Sequence, residues 1–93
     1  MEIQQFNRET KGFFKVLADD TEAGRMTYSW AGSDKFIIDH TEVNPDFKGQ
    51  DVGNQMVHAA VAYARTNGFK IIPLCPFAKS VFNKRADYQD VLT

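Results

Sequence analysis

The hydrophobic period changes once along this chain, at Gly49, and that single change limits the folds open to it. Before Gly49, residues 12–18, 24–31 and 35–43 are rich in aromatic and β-branched side chains. The clusters between them, Asp19-Asp20 and Gly32-Ser33-Asp34, carry turn chemistry, so the first half is predicted to be an antiparallel meander. Residues 2–6 add a short edge strand. From Gly49 to Asn67 the spacing is helical: Val52, Met56, Ala59, Ala60 and Tyr63 form one apolar stripe that Val57, Val61 and Ala64 widen, and Asn67-Gly68 supplies the stop. Residues 69–74 form a short apolar strand bounded by Pro73 and Pro76. After a helix that packs on the sheet, this strand returns most simply in parallel, through a right-handed crossover. Residues 77–84 give a second short helix with Val81 and Phe82 inward, and the tail carries Tyr88, Val91 and Leu92 to dock on the body. The predicted order is β-β-β-α-β-α, an α+β fold with one mixed, mostly antiparallel sheet and a helix packed on it.

A chain of 93 residues holds one domain, 1–93, which buries roughly 60 to 65% of the surface its unfolded form exposes. Any site must therefore be built directly on the core elements. The net charge of −1 removes the basic face that nucleic acid requires. The longest apolar run, Ala59 to Ala64, is far short of a membrane span. The N-terminal residues Met1-Glu2-Ile3-Gln4-Gln5 lack the pattern of a secretory leader, and the lone Cys75 suits a reducing compartment. The expectation is a cytoplasmic chain, a monomer or a homodimer joined through its short edge strands. With two histidines and one cysteine in all, a zinc site of about four such ligands is not expected, and no G-x-S-x-G elbow is present.

Two segments carry candidate chemistry. In Val43-Asn44-Pro45-Asp46-Phe47-Lys48-Gly49-Gln50-Asp51-Val52-Gly53 a strand ends, a loop with two glycines follows, and a helix begins. A helix N-terminus leaves N–H groups free and suits a phosphate, and Gly49 and Gly53 would let the backbone approach one. Such glycines serve equally well in an ordinary loop that packs helix on strand. The second segment joins His40, Glu42 and Cys75. Residues two apart on a strand share a face about 6.6 Å apart, so His40 and Glu42 point together while Asp39 and Thr41 point oppositely. If the strand at 69–74 lies beside this one, Cys75 emerges at the same sheet end, where an imidazole would activate the thiol or accept a proton from an amine. A buried, inert cysteine and a structural histidine are the competing readings.

The glycine loop resembles the acyl-CoA pyrophosphate loop of the GNAT acyltransferase superfamily. His40-Thr41-Glu42-Val43 and Ile71-Ile72-Pro73-Leu74-Cys75-Pro76-Phe77-Ala78 are similar to its minimal, single-domain N-acetyltransferase branch, and the resemblance spans residues 12–92. It implies a shortened GNAT fold whose two parallel strands splay around a pantetheine arm. It also implies acetyl-CoA as co-substrate and an amine as acceptor. In that reading Lys48, Gly49, Gln50, Asp51, Val52 and Gly53 hold the pyrophosphate, and the strand from Thr41 to Val43 bonds the pantetheine. His40, with Glu42, takes the amine proton, Cys75 lies near the thioester sulfur, and Lys79, with Lys84 and Arg85, receives the 3′-phosphate. No metal is implied. Lys48 stands where the pattern has Gln or Arg, and Asp51 where it has glycine. A lysine offers a point charge instead of a fork, and an aspartate at a helix N-terminus repels a bound anion, so CoA binding is expected to be weak. The alternatives are a non-catalytic CoA or acyl-CoA binding module and a protein-interaction domain.

Overall fold

A computed structural model describes residues 1–93. Five strands, β1 (Glu2–Asn7), β2 (Lys11–Ala18), β3 (Thr21–Trp30), β4 (Lys35–Val43) and β5 (Lys70–Pro73), form one sheet in the order β1-β2-β3-β4-β5. The first three pairings are antiparallel and β4–β5 is parallel. Helix α1 (Val52–Asn67) makes the crossover, and α2 (Pro76–Lys84) follows β5. The expected α+β architecture and the edge strand β1 are both present.

The helix begins three residues later than its apolar spacing suggests. Gly49 (φ +85°) and Asp51 (φ +65°) both hold left-handed backbone, so α-helical geometry cannot start before Val52. At the other end Gly68 (φ +73°) returns its N–H to the Ala64 carbonyl, the stop that Asn67-Gly68 foretold. The buried face of α1 is Val52, Gly53, Met56, Val57, Ala60, Val61 and Ala64. It packs on one face of the sheet, where Phe14, Val16, Met26, Tyr28, Phe36, Ile38 and Ile71 meet it in a single apolar cluster. Close approach at the helix start depends on Gly24 of β3: a Cβ there would lie 2.6 Å from Val52 Cγ1 and 3.0 Å from the Glu42 carbonyl. The opposite face of the sheet carries no helix.

The tail docks as its apolar residues imply. Tyr88 and Val91 are buried, Leu92 bridges to Ile71, and Thr93 N–H reaches the Ile71 carbonyl. Arg65 of α1 clamps Asp90 through two bonds of 2.9 and 2.8 Å and also donates to the Asp87 carbonyl. These tail contacts arise from the fold alone.

Two outcomes follow from this packing. Gly24→Ala should lower stability by about 1–3 kcal/mol in urea unfolding, because Val52 and the β4 backbone must both give way. Hydrogen bonds from Arg65 to Asp90, and from Arg85 to Asp87, hold both carboxyls below the usual range. A carboxyl depressed in the folded state stabilises fully above its unfolded pKa and loses that contribution as pH falls through the folded one. The unfolding midpoint should therefore drop below about pH 4, and Asp90→Asn should flatten that drop while lowering the midpoint at neutral pH.

Candidate active site

Strands β4 and β5 run side by side only from Lys35 to Ile38 against Lys70 to Pro73. The Ile38 carbonyl then accepts from both Leu74 N–H (3.2 Å) and Cys75 N–H (3.1 Å), and beyond it the two chains separate. Asp39 to Val43 keep β3 on one side and have no strand on the other. Asn44 N–H donates to Ala23 on the β3 side at 2.8 Å. Because peptide groups alternate along a strand, Val43 and Thr41 turn theirs to the open edge. The loop after β4 closes one end of this opening. A single turn, Pro45–Phe47, is capped by Asn44 Oδ1 accepting from Asp46 N–H, and leads through Gly49 to the start of α1. Between this loop, Val43 and Phe77 of α2 lies a cleft of about 370 Å³.

The N–H groups of Val52, Gly53 and Asn54 in the first turn of α1 have no carbonyl four residues back to accept them; the first such bond is Gln55 N–H to Asp51 carbonyl at 3.0 Å. Asp51 is the cap residue, yet its side chain does not bond them. Its Oδ1 accepts instead from Asn54 Nδ2 at 2.6 Å, leaving the helix end open. Gly49 needs its positive φ and faces open space, as a phosphate loop would require. Gly53 lines the cleft and has a second role: a Cβ there would sit 2.5 Å from the Phe77 ring, so its missing side chain lets α2 pack against α1. Lys48, Gln50 and Lys79 are exposed, and neither lysine is in an ion pair. Arg85 makes two bonds to Asp87 and lies against the Tyr88 ring at 4.2 Å.

The structure separates two groups expected to meet. Tyr28 opposes Ile38 and Thr27 opposes His40, so β4 spends one extra residue, Asp39, in a bulge. Ser29 Oγ donates to Asp39 Oδ2 at 2.5 Å, and His40 Nε2 lies 2.9 Å from Glu42 Oε1. These residues occupy the face without a helix, and the His40 and Glu42 side chains are 65% and 75% exposed. Thr41 opposes buried Met26 and therefore faces the core, where Cys75 Sγ donates to its Oγ1 at 3.3 Å. Cys75 does reach the same end of the sheet as His40, but from the other face; the pairing of thiol with imidazole is corrected by the alternation of the strand itself.

Cys75 caps α2 and is buried. Burial pushes its thiol up, but the Thr41 hydroxyl and the backbone N–H groups of Ala78, Phe77 and Thr41 outweigh burial, and the net shift is downward. A thiol beside a helix N-terminus is a recognised setting for a stabilised thiolate. Phe77 and Phe47, which wall the cleft, went unnoticed in the sequence; the signal available was an aromatic residue directly after Cys75-Pro76.

A five-stranded sheet that opens at one end beside a glycine loop and a free helix N-terminus defines an acyltransferase fold. A sequence profile described as GCN5-related N-acetyl-transferase matches residues 13–91, and the chain belongs to that family. It is similar to a GCN5-like protein from Staphylococcus aureus, with 36% identity, a TM-score of 0.76, and 99% of this chain and 87% of that one covered. The fold also matches the aminoglycoside N-acetyltransferase AAC(6′)-Iy, solved with CoA, at 15% identity and a TM-score of 0.65, over 89% of this chain and 88% of that one. An aminoglycoside acetyltransferase from an uncultured soil metagenomic sample, solved with sisomicin, matches at 13% identity and a TM-score of 0.66, over 89% and 59%. No curated protein matches the chain. No helix is long and apolar enough to cross a membrane.

The geometry around Cys75 makes one prediction independent of any ligand. Alkylation of the reduced protein should titrate with a midpoint below that of a free thiol, and Thr41→Val should move the midpoint upward. An unchanged midpoint would remove Thr41 as a cause.

Proposed function

We propose that this chain, acting as a single domain, transfers an acetyl group from acetyl-CoA to an amine. The observation that carries the reading is the open edge of β4, which lies between a free helix N-terminus at one end and Cys75 at the side. The first-turn N–H groups from Val52 to Asn54, with the loop from Lys48 to Asp51, hold the pyrophosphate. Peptide groups of Thr41 and Val43 bond the pantetheine arm and supply a donor to the oxyanion as it forms. Lys79 takes the 3′-phosphate.

His40 and Glu42, on the face without a helix, meet the amine, and Cys75 meets the thioester from the other side of β4. The amine nitrogen attacks the carbonyl carbon while His40 Nδ1 accepts its proton, with Nε2–H donating to Glu42 Oε1 and so fixing the tautomer. The carbon–sulfur bond then breaks and the CoA sulfur leaves, with the Cys75 S–H placed to protonate it. This separation favours direct transfer over an acyl-Cys75 intermediate, since no imidazole reaches the thiol to activate it as a nucleophile. The free thiol at the site fits a reducing, cytoplasmic setting.

Acetyl-CoA at about 100 times its dissociation constant should raise the unfolding midpoint by more than about 10 °C in a domain of this size. Asp51→Gly should tighten CoA severalfold, because it removes a carboxylate from the anion site and suits the left-handed backbone already present. His40→Ala should reduce turnover by about 10²-fold or more with CoA affinity nearly unchanged; an equal loss of both would mean a structural role. Ligand binding without turnover on any amine would instead establish a non-catalytic acyl-CoA module.

A further inference from the structure

The face of the sheet that carries no helix holds a cavity of about 260 Å³, set over β1 to β4. At its β4 side is Asp39, placed there by the bulge, with Oδ2 bonded to Ser29. That leaves Oδ1 to meet a cation. Thr27, on its floor, stands directly opposite His40. At its far side are Arg8, on the turn between β1 and β2, and Lys11, the first residue of β2, neither of them in an ion pair. Glu9, between them in sequence, is not among the residues lining this cavity; it lines a neighbouring hollow with Trp30 and Tyr63, which Arg8 also borders, and it pairs with neither cation. Phe6 and Phe13, stacked at 4.9 Å, wall the space between the charged ends.

The geometry points to this cavity as the acceptor site, taking a short peptide with its free amine at Asp39 and its terminal carboxylate at Arg8 and Lys11. The assignment rests on the acetyl-transfer reading above. From β4 to β2 is two strand spacings, about 10 Å, which is the length of about three extended residues. An amine held by Asp39 lies beside His40, the base that would deprotonate it. A simple amine would use only the Asp39 end and leave the two cations without a partner, so charge complementarity at both ends selects the peptide.

The experiment compares trialanine with its C-terminal amide, both as acetyl acceptors and as ligands followed by backbone amide shifts without acetyl-CoA. Trialanine should be acetylated with kcat/KM about tenfold above the amide, and the double variant Arg8→Gln, Lys11→Gln should bring that ratio to about one. In the titration, trialanine should perturb Gly12, Phe13 and Thr27, and the double variant should weaken it about tenfold. Acetylation of both peptides at equal rates would overturn the peptide assignment and leave the transfer reading standing. Perturbation at those residues without acetylation would leave a peptide-binding cavity and overturn its assignment as the acceptor site. No perturbation at those residues would overturn the inference, whatever the transfer activity.

Discussion

The carbonyl of Ile38 is the point on which the site depends. It accepts two N–H groups from the chain leaving β5, those of Leu74 and Cys75, and is the last link between the parallel strands. Two donors on one acceptor turn the backbone away at that residue, and Pro73 and Pro76 on either side can donate nothing that would extend the ladder. Everything beyond Ile38 on β4 is left with an unpaired edge. In most sheets such an edge is a liability; here it is walled by α2 and by the loop into α1.

The bulge at Asp39 is the second determinant. An unbroken strand would have placed Ile38 and His40 on one face, the face covered by α1. One added residue reverses the alternation, so His40 and Glu42 reach the open face while Thr41 turns inward to Cys75. Imidazole and thiol are thereby divided between the two sides of one strand. In the proposed reaction that division gives a two-sided site, with the acyl donor along the edge and the acceptor approaching from the face without a helix. A domain this small has no additional layer with which to build an acceptor pocket, and in that proposal the bare sheet face takes the role.

Asp51 illustrates how a loop keeps its shape while its electrostatics change. Aspartate accepts the left-handed backbone that glycine would hold more freely, and its carboxylate is drawn off to Asn54. The N–H groups of the helix start remain open, although a negative charge stands beside them. Shape and anion affinity are thus separable at this position.

The order of elements, the period change, the helical stripe, both turn clusters and the stop at Gly68 are legible along the chain, because each is written in local spacing and local backbone preference. Local spacing also puts His40 and Glu42 on one face, since they stand two positions apart. Long-range packing alone makes Cys75 meet Thr41 instead of His40 and makes Gly53 leave room for Phe77. It likewise decided that Arg65 secures the tail. Each of these is settled by where a distant segment packs. A strand's facing depends on a bulge whose register is fixed by its neighbour, and a glycine's role depends on what stands opposite it. The residues within a few positions of one another cannot encode either.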